Sequence, residues 1–102
     1  MKNVMYYYSD HESQNRIAIA GMVNAENELQ LAVSRCSKKD NFNRKVGRNI
    51  AEGRLLKGKL FRTVGFSDDS PVTIKDFATE AKIIENELLD VKSNIVLVAN
   101  DN

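Results

Sequence analysis

The sequence predicts an α+β fold: a largely antiparallel sheet with two helices on one side, in the order β-β-β-α-β-α-β. Two observations predict this class. Apolar residues alternate with polar ones in short segments before residue 36 and again near residue 60, and two longer segments repeat apolar residues every three or four positions. The chain has 102 residues, the size of one domain, so residues 1–102 are interpreted as a single unit.

The first three strands are expected in residues 4–8, 16–23 and 29–33. The first is a short aromatic run. The other two alternate apolar residues on either side of residues 24–27, a polar connection of hairpin length. Gly21 lies inside the second strand, where a glycine indicates a bulge or the close approach of another part of the chain.

A first helix is expected to begin at Ser37 or Asp40, which together fit a capping box, and to end near Leu56. Gly58 then follows as its stop signal. Residues 60–66 alternate again and predict a fourth strand. This strand separates the first helix from the second.

The second helix has the clearest periodicity, with Thr73 as its cap and Asp76 three residues later. Its apolar stripe comprises Ile74, Phe77, Ala78, Ala81, Ile84, Leu88 and Val91. The final run, residues 94–99, reads NIVLVA and predicts a last strand covered on both faces. An apolar strand at an exposed edge would aggregate, so we expect at least a homodimer or a larger homo-oligomer.

The charges are segregated along the chain. Residues 35–62 contain ten basic and two acidic residues, a net charge of +8, whereas residues 67–102 carry −5. The overall charge of +1 conceals this division. Such segregation favours an anion-binding surface, although a solvated face partly paired with the acidic second helix is the alternative.

The predicted first helix contains the candidate site. Helical spacing gives it a core face of Phe42, Val46, Ile50, Gly53 and Leu56. Arg44 and Arg48 lie one turn apart on the opposite side, where both guanidinium groups can converge on one anion. Gly47 and Gly53 each cost about 1 kcal/mol in a helix, which favours close approach of a ligand or another chain. Alternatively, Gly47 packs against the sheet and Gly53 begins the helix end.

The start of this helix supports the same interpretation. Lys38 and Lys39 lie in its first turn, where free backbone amides and the helix dipole attract phosphate. Asp40 is either part of the site or only a cap, and Phe42 is more typical of a core residue than of a stacking platform. The candidate ligand-binding residues are Lys38, Lys39, Asp40, Asn41, Phe42, Arg44, Arg48 and Arg54.

Several classes of protein are disfavoured by what the sequence contains. His11 and Cys36 are the single histidine and cysteine, too few for a zinc cluster or a catalytic constellation, and no phosphate-binding glycine motif occurs. We therefore expect no enzyme activity, no metal and no cofactor. The N-terminal residues do not resemble a secretion signal and no run is long enough to span a membrane, so we expect a cytoplasmic protein without a membrane partner.

Residues 36–55, CSKKDNFNRKVGRNIAEGRL, resemble a block found in small proteins of tailed phages, in which Cys-x-x-x-Asp-x-Phe is followed by Gly-Arg-x-x-Ala-x-x-Arg. The chain is similar over about 25 residues to the phage Thoeris anti-defence family of signal-sequestering proteins, of the first-described type. The resemblance implies binding without cleavage of cyclic ADP-ribose isomers made by TIR-domain enzymes, or of cyclic oligonucleotides. It also implies dimers or larger oligomers whose sites are built from two chains.

The matching block contains part of the candidate site, namely Asp40, Asn41, Phe42, Arg44, Arg48 and Arg54. The base-stacking aromatic positions of that family are not matched, and the nearby aromatic candidates are Tyr6, Tyr7 and Tyr8. An alternative function is that of a phage interaction protein, anti-CRISPR-like or nucleic-acid-binding, that docks through the basic helix. Nucleic acid is the less favoured partner because few aromatic residues are interspersed among the cations.

Overall fold

The computed structural model describes residues 3–9, 16–36, 44–67 and 69–101, and of residues 16, 36, 44 and 89–101 it describes the backbone alone. The elements follow the order β-β-β-α-β-α. They are β1 (Met5–Tyr8), β2 (Arg16–Val23), β3 (Glu28–Cys36), α1 (Arg44–Leu56), β4 (Arg62–Gly65) and α2 (Ile74–Asp101).

Within the described residues the strands form one antiparallel sheet in the order β1-β2-β3-β4. Its register pairs Tyr7 with Ile19, Ile19 with Val33, and Leu29 with Val64. The α+β class, the antiparallel sheet and the β2–β3 hairpin are thus confirmed. The hairpin forms because two apolar-alternating segments flank a turn in which the Asn24 side chain accepts hydrogen bonds from two backbone amides.

The two helices cover opposite faces of the sheet, so the prediction that they share one side is wrong. One core cluster joins the odd-numbered residues of β2 and β3 to α2, and the other joins the even-numbered residues to α1. Side chains alternate between the faces of a strand. Residues 17–22 and 31–34 are buried throughout, so both faces of this hairpin require cover.

Helix α1 packs on the sheet through the side that the sequence assigned to solvent. Gly47, Ala51 and Leu55 are buried, whereas Val46, Ile50 and Leu56 are 53%, 43% and 57% exposed. The predicted core face is therefore wrong. The covered sheet face is lined largely by alanine and serine, so a helix comes close to it through its own small residues; that face contains Ala18, Ala20, Ala32 and Ser34.

The helix boundaries agree with the expected caps. Gly58 has a φ of 74°, and its amide donates to the Leu55 carbonyl at 3.1 Å while the Lys59 amide donates to the Arg54 carbonyl at 2.8 Å. This pair of bonds is the Schellman motif, which ends α1. At the start of α2, the Thr73 hydroxyl accepts from the Asp76 amide and the Asp76 carboxylate accepts from the Thr73 amide.

The predicted last strand is wrong because α2 continues to Asp101. Its sequence contains neither glycine nor proline, and Leu88, Val91, Ile95 and Val98 continue the spacing of three and four residues that begins at Phe77. A continuous apolar run is compatible with either structure, and here the helical period extends through it. In the part of the chain that the structure describes, no helix is long and apolar enough to cross a membrane.

Gly21 allows α2 to lie close to the sheet. A Cβ atom at this position would lie 2.5 Å from Cε1 and 2.6 Å from Cδ1 of Phe77. Phe77 is 2% exposed and belongs to the larger core cluster, so its ring has little room to move. The pairing of β2 with β3 continues without a bulge through Gly21, so the close-approach interpretation of this glycine is confirmed.

Replacing Gly21 with alanine should destabilise the protein by about 1–3 kcal/mol, because the added methyl group overpacks the contact with Phe77. The measurement is the free energy of unfolding in urea. Gly65→Ala is the matched control, because a Cβ there would meet nothing within 4 Å. Equal unfolding midpoints for the two variants would show that the Phe77 ring adapts freely.

A buried carboxylate connects α2 to β1. Glu85 is 4% exposed, and its Oε1 accepts hydrogen bonds from the Tyr7 hydroxyl at 2.7 Å and from Lys82 Nζ at 3.1 Å. Burial, and then the hydrogen bond to Glu85, raises the pKa of Tyr7 to about 12. The phenol of Tyr7 is therefore protonated over the physiological range and acts as a fixed donor.

This pKa predicts a loss of stability at high pH. The folded state holds the Tyr7 proton above the unfolded pKa of about 10, so its stabilising contribution is complete below pH 10 and is lost as the pH rises towards 12. We expect the difference in unfolding free energy between the wild type and Tyr7→Phe to shrink over that interval. Urea unfolding from pH 9 to pH 12 measures it, and a constant difference would contradict the assignment.

Candidate anion-binding site

The short strand β4 leaves part of the β3 edge uncovered by a paired strand. The last register pair is Leu31 with Arg62, and the Phe61 amide donates to the Leu31 carbonyl at 2.7 Å. Strand β3 continues to Cys36. Beyond Leu31 the Val33 carbonyl accepts a bond from Arg54 Nη1 at 2.6 Å, so a side chain replaces the neighbouring strand there.

An open pocket of about 310 Å³ lies at this edge. Four parts of the fold contribute its lining: β3, α1, the connection that precedes β4, and α2. The lining residues are Val33, Arg35, Arg54, Phe61 and Leu88. Its volume is at the lower end of the range for small-molecule sites, and its open form suits a partly exposed ligand.

Two arginines line this pocket, and their side chains belong to opposite faces of the sheet. Arg35 is an odd-numbered residue of β3, so its side chain leaves the sheet on the α2 side. Among the residues that the structure describes, its side chain has no hydrogen-bond or ion-pair partner. Arg54 comes from α1 on the other side and uses one of its five N–H donors on Val33, which leaves donors for an anion.

The aromatic member of the pocket is Phe61, which is 43% exposed. The Arg62 guanidinium carbon lies 5.7 Å from the centre of its ring, within the range of a cation–π contact. Arg62 also forms an ion pair with Glu87 on α2. These contacts hold the Phe61 ring beside the pocket and hold β4 against α2.

Arg48 lies at the other side of the molecule. Its guanidinium carbon is 5.6 Å from the centre of the Tyr6 ring on β1, the edge strand opposite β4. The Tyr6 hydroxyl donates to Glu52, and this bond is the main cause of the raised pKa of Tyr6. The structure therefore does not bring Arg48 and Arg54 together.

The remaining predicted site residues are not tested by the geometry. Arg44 lies at the start of α1, and only its backbone is described. Lys38, Lys39, Asp40, Asn41 and Phe42 lie outside the described residues, as does His11. The predicted helix start at residues 37–40 falls in the same segment.

Sequence reasoning missed Arg35 and Phe61 as site residues. Arg35 belongs to the basic segment, but it lies on β3 and not on the helix that contains the predicted site. Phe61 belongs to an alternating run that is typical of core residues. The open edge has no clear signal in the sequence, because residues 60–66 alternate over seven positions whereas β4 contains only residues 62–65.

The pocket chemistry suits binding of a negatively charged group beside a planar one. Of its five lining residues none has a carboxylate, imidazole, thiol or hydroxyl. Within the described ranges, no group of three or more His, Cys, Asp or Glu residues could hold a metal ion.

No protein-family model, no curated protein and no solved structure matches the chain.

Proposed function

We propose that the protein binds a phosphate-bearing small molecule of the cyclic nucleotide class at the β3 edge and sequesters it without cleaving it. The observation that carries this proposal is that Arg35, Arg54 and Phe61 line one pocket. The resemblance of residues 36–55 to phage Thoeris anti-defence proteins favours a cyclic ADP-ribose isomer, or a cyclic oligonucleotide, as the ligand. The biological role that follows is removal of a signal from the host defence.

The magnitudes are compatible with reversible binding. A hydrogen bond to a charged group contributes about 1.5–3 kcal/mol, and a base stacked on an aromatic ring contributes about 1–3 kcal/mol. Two arginine contacts and one stacked base thus supply about 4–9 kcal/mol before the cost of immobilising the ligand. Tighter sequestration would need further groups, and the predicted residues 38–42 are the first candidates.

Arg35→Glu should weaken nucleotide binding by at least tenfold, because it removes one arm of the pair and places a negative charge in the pocket. Isothermal calorimetry with cyclic ADP-ribose isomers and cyclic oligonucleotides measures this. Lys57→Glu is the matched control, since it makes the same change of charge at an exposed residue outside the pocket lining. Arg48→Ala should also leave binding at this pocket nearly unchanged, because Arg48 lies over Tyr6 and not in the pocket lining.

Equal losses in Arg35→Glu and Lys57→Glu would show that binding follows net charge and not this pocket. Arg54→Ala is a weaker test on its own, because Arg54 also bonds the Val33 carbonyl and its loss alters the edge.

The bound compound should be released unchanged. The pocket lining offers no nucleophile and no acid–base pair, and turnover requires such groups in position. Ligand should raise the melting temperature in proportion to the logarithm of its concentration. Heat denaturation of the complex followed by chromatography tests the chemistry, and recovery of a hydrolysed or isomerised product would identify an enzyme.

A different observation favours the alternative function of docking on a macromolecule through α1. Ile50 and Leu56 are exposed on its outer side, near Lys57. A nucleic-acid partner would show a steep salt dependence, whereas a pocket holding one or two phosphates would show a shallow one.

The homo-oligomer stays a prediction, although the strand on which it was based is helical. The exposed apolar residues of α1, Ile50 and Leu56, now provide its motive. Light scattering at high micromolar concentration tests it.

A further inference from the structure

The backbone groups of β3 alternate in direction across the sheet. The Asn24 amide on the β2 side donates to the Glu28 carbonyl at 3.0 Å, so even-numbered residues of β3 bond towards β2. Leu31 and Val33 direct their carbonyls the other way, towards Phe61 and Arg54. By this alternation the N–H and carbonyl of Arg35 both point to the β4 side of β3.

No described strand reaches Arg35 on that side. The register with β4 ends at Leu31, four residues earlier along β3. Among the described residues the Arg35 N–H and carbonyl therefore form an adjacent donor and acceptor without a strand partner, next to the pocket that Arg35 lines. Unpaired main-chain groups of this kind commonly serve as a template for a partner that supplies the complementary pattern.

We propose that the main chain of Arg35 at the open edge of β3 reads the nucleobase of the ligand, and that it selects bases presenting a donor beside an acceptor. This rests on the proposed function and adds the means of base recognition. An amino group beside a ring nitrogen, as on adenine, complements a carbonyl beside an N–H. The Phe61 ring then stacks on the base, and the guanidinium groups of Arg35 and Arg54 hold the phosphate.

In this proposal the side chains and the main chain recognise different parts of the ligand. The side chains of Arg35 and Arg54 recognise charge, and every nucleotide carries it. The main chain recognises the edge of the base, and only a base with an unblocked donor and acceptor satisfies it. Replacing the Arg35 side chain therefore weakens phosphate binding, whereas base selectivity stays intact because the main chain is unchanged.

The test compares adenosine 5′-monophosphate with its N6,N6-dimethyl analogue by calorimetry, with ribose 5-phosphate as the ligand lacking a base. We expect the dimethyl analogue to bind about tenfold more weakly than the parent, because it leaves the carbonyl acceptor without a donor. In Arg35→Ala both affinities should fall while their ratio persists. Hydrogen exchange should show protection of the Arg35 amide with adenosine 5′-monophosphate and not with ribose 5-phosphate.

Equal affinities for the parent and dimethyl compounds would overturn main-chain recognition, while binding itself would still support the proposed function. A ratio that collapses in Arg35→Ala would assign base reading to the side chain and also overturn it. Absence of binding by cyclic ADP-ribose isomers, cyclic oligonucleotides and adenosine 5′-monophosphate alike would remove the proposed function as well. Protection of the Arg35 amide by an added extended peptide, without nucleotide binding, would identify a strand-addition site instead.

Discussion

Burial of the β2–β3 hairpin on both faces is the constraint on which the other elements depend. Its bulky odd-numbered residues require a helix with large apolar side chains, and α2 supplies Phe77 and Ile84. Its small even-numbered residues accept a helix at close range, and α1 supplies Ala51 and Leu55. Neither helix can be removed without exposing one face of the same two strands. Because α1 and α2 lie on opposite faces, the chain between them must cross an edge of the sheet.

The crossing creates the candidate site. After α1 the chain turns at Gly58, passes beside β3 at Phe61, forms the short β4 and then enters α2 on the far face. The edge of β3 is therefore bordered by both helical layers, and Arg54 and Leu88 reach one pocket from opposite sides. A longer β4 would have paired with Val33 and Arg35 and closed this edge. The pocket is thus a direct consequence of the late start of β4 at Arg62.

Local chemistry in the sequence was sufficient for most of the fold. The hairpin, the Gly58 stop and the Thr73 cap each depend on residues near one another in the chain, and each prediction was confirmed. The close approach at Gly21 was also confirmed, although the residue that approaches, Phe77, is distant in sequence. The packed side of α1 was not predictable in this way. Helical spacing gives α1 an apolar face and a face of small residues. Which of them packs depends on the small residues of the facing sheet surface, and only the tertiary structure brings those together.

The remaining failures have the same origin. Residues 94–99 are apolar enough for a covered strand, but their spacing also continues the stripe of α2, and the helix already formed there propagates at little cost. The pocket lies away from the predicted site for a related reason. Arg35 and Phe61 are distant in sequence, and both line the pocket only because the chain crosses from one face of the sheet to the other. A helical wheel compares residues within one helix, so it contains no information on which residues of other elements lie nearby.

The positive charge of residues 35–62 and the pocket have different physical roles. Arg48 lies over Tyr6 and Arg62 is held by Glu87, so two of these cations stabilise the packing of α1 and β4. Arg35 and Arg54 line the pocket. The segment as a whole still produces a positive field, which raises the rate of encounter with an anion and adds little selectivity. The affinity and selectivity that we propose for the pocket must then come from the few groups at the β3 edge, because hydrogen bonds and stacking, unlike a diffuse field, depend on position within about an ångström.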